Sequence, residues 1–142
     1  MLNPALGVFS VFAWIKGGAP GQVVISQMDG ASMGAIWLSA DPTDGKLMTR
    51  LMPHAIGLRV PPQPLVSEFV ITDGDWHRVG FVWDGSDRIL YVDGLEVARD
   101  TQTGLGSSEG GLYLGASSTL EPGSFFSGLI DDVRIYSEAI TP

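Results

Sequence analysis

Sixteen carboxylates and two histidines, His54 and His77, are the side chains of this chain with acid–base reach, and there is no cysteine. The lack of thiols removes thiolate catalysis, thiolate zinc sites and disulfide stapling together. Hydrolysis by paired carboxylates needs two acids on one face, about 5 Å apart for a retaining mechanism. Glu96 and Asp100 have even spacing, but Arg99-Asp100-Thr101 reads as already leaving its strand, so this pair is not expected to act. His77 follows Trp76 and shares strand parity with Val79, Phe81 and Trp83, which predicts an inward, hydrogen-bonded, structural histidine. His54 lies in a proline-rich stretch and is expected only to be solvated. Neither histidine stands beside a nucleophile elbow, so Ser-His-Asp chemistry is not expected either.

The remaining chemistry is that of binding. Asp131 shares strand parity with Leu129, Val133 and Ile135, which predicts a buried carboxylate that must be paired or hydrogen-bonded. Its structural reading is to tie down turn N–H groups or an arginine. The alternative is calcium, which takes six to eight oxygens from loops, and Asp29, Asp41 and Asp44 are the loop acids placed to join such a site. No EF-hand spacing accompanies them. Four tryptophans carry the other signal. Trp14 and Trp83 are expected in the core, whereas Trp37 and Trp76 are left between core packing and stacking on a sugar ring. Trp37, Trp76 and Asp29 are the candidate ligand-binding residues.

The elements that must position these side chains are clearest from Asp73 to Ala98, DGDWHRVGFVWDGSDRILYVDGLEVA. Three strands are expected there. Asp93-Gly94 between Arg88–Val92 and Leu95–Ala98 predicts a two-residue hairpin of type I′, with positive φ at both turn positions. Asp84-Gly85-Ser86-Asp87 makes the other reversal. Around this unit the chain supplies further short apolar runs: Phe9–Lys16, Gln22–Gln27, Gly34–Ala40, Lys46–Met52, Leu65–Thr72, Leu112–Ala116 and Phe125–Tyr136. Pro53 to Pro64 holds four prolines and is expected as a surface crossing. Arg99 to Gly110 reads as a polar loop. No helical periodicity, internal repeat or composition break appears, so one all-β domain over residues 1–142 is expected.

Composition narrows the partners. The net charge of −8, with six arginines spread singly, repels phosphate backbones and argues against nucleic acid. No apolar run is long enough for a membrane span, and no export signal opens the chain.

The order WHRVGFVWDG, RILYVDGLEVA, GGLYLGA and FFSGLIDDVRIYSEAI resembles the laminin G-like jelly roll of the concanavalin A-like lectin and glucanase superfamily. The resemblance implies a two-sheet antiparallel β-sandwich, with ligands held by rim loops or by a concave sheet face. It also sets a test for catalysis, since glucanases of that superfamily carry two glutamates with an aspartate between them on one strand. Neither E-x-D-x-E nor E-x-D-x-x-E occurs here. The expectation is therefore a non-catalytic recognition module for carbohydrate. A structural or protein-interaction module comes second and a divergent glycoside hydrolase third. An extracellular location follows from the resemblance alone. Domains of this kind open with a further strand before the equivalent of Phe9–Lys16, whereas Met1 to Val8 contains Pro4 and makes a poor one. An unpaired edge near Phe125–Tyr136, and a homodimer through it, are expected in consequence.

Overall fold

Short runs of Val, Ile, Phe and Trp separated by Gly, Pro and Asp satisfy their backbone groups by lateral pairing, and in the computed structural model they form two antiparallel five-stranded sheets. The structure describes residues 4–27, 35–51, 63–102, 104–105, 110–117 and 122–142. Ten strands lie within them: β1 (Phe9–Lys16), β2 (Val23–Gln27), β3 (Ala35–Ala40), β4 (Lys46–Thr49), β5 (Leu65–Val70), β6 (Trp76–Trp83), β7 (Asp87–Val92), β8 (Leu95–Thr101), β9 (Leu112–Leu114) and β10 (Leu129–Tyr136). The first sheet runs β10-β1-β6-β7-β8 and the second β5-β4-β3-β2-β9. This is the β-sandwich expected from the sequence, and no helix among the described residues is long and apolar enough to cross a membrane.

The β6–β7–β8 unit forms as its turns dictate. Asp93 and Gly94 have φ of 53° and 85°, both in the left-handed region, as a type I′ turn requires. At the other tip the Asp84 carboxylate accepts the N–H groups of Ser86 and Asp87 at 2.9 and 2.7 Å, closing the reversal. Strand β8 runs further than the sequence implies, to Thr101. Its extra residues are held by side chains of β7: Thr101 donates to Asp87 at 2.8 Å, Arg99 donates to Asp87 at 2.7 Å, and Asp100 accepts from Arg88. Strand β10, by contrast, starts only at Leu129, after a 3-10 turn at Pro122–Ser124.

Between the sheets, Val11, Ala13 and Ile15 of β1 and Val79, Phe81 and Trp83 of β6 join Trp37, Leu38 and Leu47 of the second sheet in one buried cluster. Each Val, Leu, Ile or Phe side chain among them contributes about 1.5–3 kcal/mol on burial. Phe9 links the layers, with ring centres 5.2 Å from Trp37 and 5.6 Å from Phe81.

A smaller cluster of Phe12, Val82, Ile89 and Tyr91 lies apart from that core, on the outward parity of the first sheet, with Tyr136 and Ile140 against it. Ser10 fastens the C-terminal segment there, donating to the Glu138 carbonyl at 2.5 Å and accepting from Ile140 N–H at 2.7 Å. Phe12 lies close over Gly80, where a Cβ would overlap its ring.

Candidate functional site

Strand alternation in β1 points Val11, Ala13 and Ile15 into the core and leaves Trp14 and Lys16 outward. In β6 it points His77 inward and leaves Trp76 and Arg78 on the same outer face. The β1–β6 register sets Trp14 opposite Arg78 and Lys16 opposite Trp76, so the two indoles lie on one diagonal, about 7–8 Å apart on the strand lattice. Trp14 is 39% exposed and Trp76 is 43% exposed. Leu129, paired with Lys16 from β10, extends the apolar surface. Next along β1, the Arg78 guanidinium stacks 4.4 Å from the Phe12 ring centre, which fixes its stem at the boundary with the covered part of the face. The result is an open sheet surface carrying two indole rings and two cations. Trp76 is one of the sequence candidates; Trp14, expected in the core, is not buried there. Trp37, the other tryptophan candidate, is in the core at 1% exposure, packed on Phe9, and offers no ring face to a ligand.

His77 is buried behind this surface, as its parity implies. Its Nδ1 lies 2.8 Å from Asp93 and its Nε2 2.8 Å from Asp73, and the Phe69 ring meets it edge-on at 5.2 Å. Burial alone would lower its pKa, but hydrogen bonds and charge from Asp93 and Asp73 outweigh burial and raise it. Asp73 is shifted the other way, first by the Asp75 N–H and then, against burial, by His77. With both ring nitrogens donating to carboxylates, this histidine is an ion-pair post between the β5–β6 loop and the β7–β8 turn. It is not a free general base.

The carboxylates are spread rather than gathered. Asp41 closes the β3–β4 turn: its oxygens accept N–H groups of Thr43 at 2.7 Å, Lys46 at 3.3 Å and Asp44 at 3.4 Å. Burial, which raises its pKa, is outweighed by those N–H groups and by Lys46, and the net shift is downward. Asp44 lies in the same turn, 3.4 Å from the Lys46 ammonium.

Asp131 departs from expectation. Across β1, Phe12 pairs with Arg134 and Trp14 with Asp131, so two residues of β10 oppose the single Ala13. That bulge, with Asp132 at φ 48°, reverses the parity. Ile130, Val133 and Ile135 therefore pack on the core, while Asp131 is exposed and accepts the Asp132 N–H at 2.8 Å.

Glu96 and Asp100 form no dyad. Glu96 is held by Arg99 at 2.8 Å and Asp100 by Arg88 at 2.8 Å. Asp29 and His54 lie outside the described residues. Among the described residues no three His, Cys, Asp or Glu side chains gather where they could hold a metal ion.

Arg88 was not singled out by sequence. It is fully buried, on the inward parity of β7, and donates to Asp100, to the Leu51 carbonyl at 3.0 Å and to the Gln63 carbonyl at 2.9 Å. The one signal available was a charged residue in register with Leu90 and Val92, which a half-buried strand would not place there.

Residues 3–142 match a laminin G-type family model of the concanavalin A-like lectin/glucanases superfamily. The chain belongs to that superfamily. Solved structures repeat its fold at low identity. A CBM40 domain of a Ruminococcus gnavus IT-sialidase, bound to α2,6-sialyllactose, is 16% identical with a TM-score of 0.68, over 96% of this chain and 80% of that one. Domain 4 of AbnA, a GH43 extracellular arabinanase from Geobacillus stearothermophilus, in complex with arabinotriose, is 20% identical with a TM-score of 0.58, over 100% of this chain and 67% of that one. Mouse laminin α1 domains LG4-5 are 16% identical with a TM-score of 0.63, over 94% of this chain. The chain spans 36% of that laminin structure, little more than a third.

Proposed function

We propose that this chain is a non-catalytic glycan-recognition module whose ligand lies on the outer face of β1 and β6. The observation that carries the reading is the pair of exposed indoles, Trp14 and Trp76, on adjacent strands of one sheet. The C–H faces of a sugar ring suit an aromatic plane, and a tryptophan fixed on a strand presents that plane at little entropic cost. The laminin G-like, concanavalin A-like fold and the sugar-bound structures that share it support the same reading. The separate engagements of Glu96, Asp100 and His77 favour binding over hydrolysis. An extracellular setting suits such a module.

The test is a glycan array, followed by calorimetry with the best hit. Trp76→Ala and Trp14→Ala should each weaken binding about tenfold or more, equivalent to about 1.4 kcal/mol, at unchanged unfolding midpoint. Full affinity in both variants would remove the surface from consideration. Addition of a chelator measures whether calcium contributes.

A second reading, self-association, has one observation behind it: β10 is an edge strand of the first sheet, with Leu129 57% exposed. The Asp132 bulge works against strand-to-strand pairing at the middle of that edge. Sedimentation equilibrium at micromolar concentration separates the two, since a dimer through β10 requires a mass near twice the monomer's.

A further inference from the structure

We infer that the glycan bound on the Trp14–Trp76 face is anionic, its acidic group resting on Lys16 and Arg78; this rests on the reading above and sharpens it. The protein carries twice as many acids as bases, and most of its described cations are claimed by carboxylates. Lys46 pairs with Asp44 and Glu68, Arg88 with Asp100, Arg99 with Asp87 and Glu96, and Arg134 with Asp132. Lys16 and Arg78 make no ion pair with any described residue, nor does Arg50, which lies at the end of β4 in the other sheet. Two unclaimed cations thus share one face of adjacent strands, diagonal to each other, each directly across from an exposed tryptophan.

Their surroundings keep them free. The aspartate nearest Arg78 across the sheet is Asp93, and its carboxylate is spent on His77 and on the Arg78 N–H. Arg78 is pre-positioned by its stack on Phe12, so its planar fork loses little freedom on meeting a carboxylate or sulfate. A sugar stacked on Trp76 would carry a ring substituent towards Lys16, about 4.5–5.5 Å away in cross-strand spacing. One stacked on Trp14 would stand in the same relation to Arg78. Asp131, paired with Trp14 from the β10 side, repels an anion there, so the acidic group lies over β6 and not over β10.

The experiment compares neutral, carboxylated and sulfated glycans on one array. Calorimetry at low and high salt then follows with the best hit and with its carboxyl-reduced or desulfated counterpart. Acidic hits, affinity that falls several-fold with added salt, and at least about tenfold loss on removing the acid group support the inference; which treatment causes the loss identifies the anion. Arg78→Gln and Lys16→Gln should lose the preference for the acidic ligand while keeping the weak binding of its neutral form. Arg78→Lys should restore part of it, and Asp131→Asn should strengthen it. Unfolding midpoints confirm that each variant is folded. Neutral hits with salt-insensitive affinity, untouched by Arg78→Gln, overturn the anionic ligand and leave glycan recognition standing. Failure of every glycan class overturns both.

Discussion

Removing Arg88 should cost more stability than any other single polar truncation among the described residues. Its guanidinium is fully buried and spans Asp100 on β8 and the carbonyls of Leu51 and Gln63, so it holds the chain on either side of residues 52–62 against the first sheet. Arg88→Ala strips the donors from both carbonyls and leaves the two-thirds-buried Asp100 carboxylate uncompensated. Breaking a buried pair from one side costs about 3–5 kcal/mol, against a total stability on the order of 5–15 kcal/mol. Asp100→Ala should fall in the same range, because it leaves an unpaired charge in the core. Asp100→Asn keeps one acceptor and should cost about half as much.

The assay is urea unfolding at neutral pH, with Arg88→Met, Asp100→Leu and their combination completing a double-mutant cycle. Replacing both charges by apolar groups of similar shape avoids the orphaned charge. The double variant should therefore be less destabilised than the sum of the singles by a coupling of about 1–3 kcal/mol. An Arg88→Ala loss below about 1 kcal/mol, or strict additivity in the cycle, would refute the clamp.

Gly94→Val should cost about 1–3 kcal/mol through strain alone, since φ is 85° and space around a Cβ there is open; an unmoved denaturation midpoint would contradict the type I′ geometry. Gly80→Ala should lower stability for the opposite reason, by forcing Phe12 off its place, and Phe12→Leu in the same chain should relieve part of the loss. Asp131→Ala should leave stability within about 0.5 kcal/mol of the parent, as an exposed side chain on a bulge. For His77 the folded pKa lies above the ordinary value, so its stabilisation is fully present below about pH 6.5 and fades as pH rises through the folded pKa. Asp73, shifted down, contributes above its ordinary range and loses this as pH falls, so unfolding midpoints followed from pH 5 to 9 should decline on the alkaline side, and His77→Gln should flatten that decline.

The sequence was most readable where turn chemistry and alternation agree, and least where one residue shifts the frame. Asp93-Gly94 specifies its own turn, both residues taking the positive φ it requires, and β7 and β8 pair directly across it. Alternation in FSVFAWIK separates Phe12 and Trp14 from Val11, Ala13 and Ile15, yet it does not say which side faces the other sheet. Both sides are apolar, so hydrophobicity alone places Trp14 in the core, whereas the structure leaves it outward. The Trp37 face was likewise decided by packing on Phe9, a contact that crosses the sandwich and leaves no local mark. Arg88 was hidden because its partners, Asp100, Leu51 and Gln63, are remote in sequence.

The bulge in β10 sets Asp131 outward against its strand parity and also shapes part of the candidate surface. Leu129 and Asp131 share parity with Val133 and Ile135 by counting, but the extra residue at Asp132–Val133 turns the first pair outward and the second inward. Without it, either Asp131 would be driven between the sheets or Val133 and Ile135 would face water. The first buries a carboxylate at a cost of several kcal/mol, and the second forfeits about 1.5–3 kcal/mol for each aliphatic side chain. Asp132 adopts positive φ at the bulge, where an aspartate is tolerated better than most residues, and Arg134 binds its carboxylate at 2.8 Å. The same irregularity that keeps the core apolar thus puts Leu129 beside Lys16 and Asp131 beside Trp14. That gives the β1–β6 surface an apolar flank at one corner and an acidic one at the next. Asp132→Pro, which has no accessible conformation at positive φ, should therefore disturb both the fold and the ligand face. Asp132→Gly should preserve both, a contrast read by unfolding and glycan binding together.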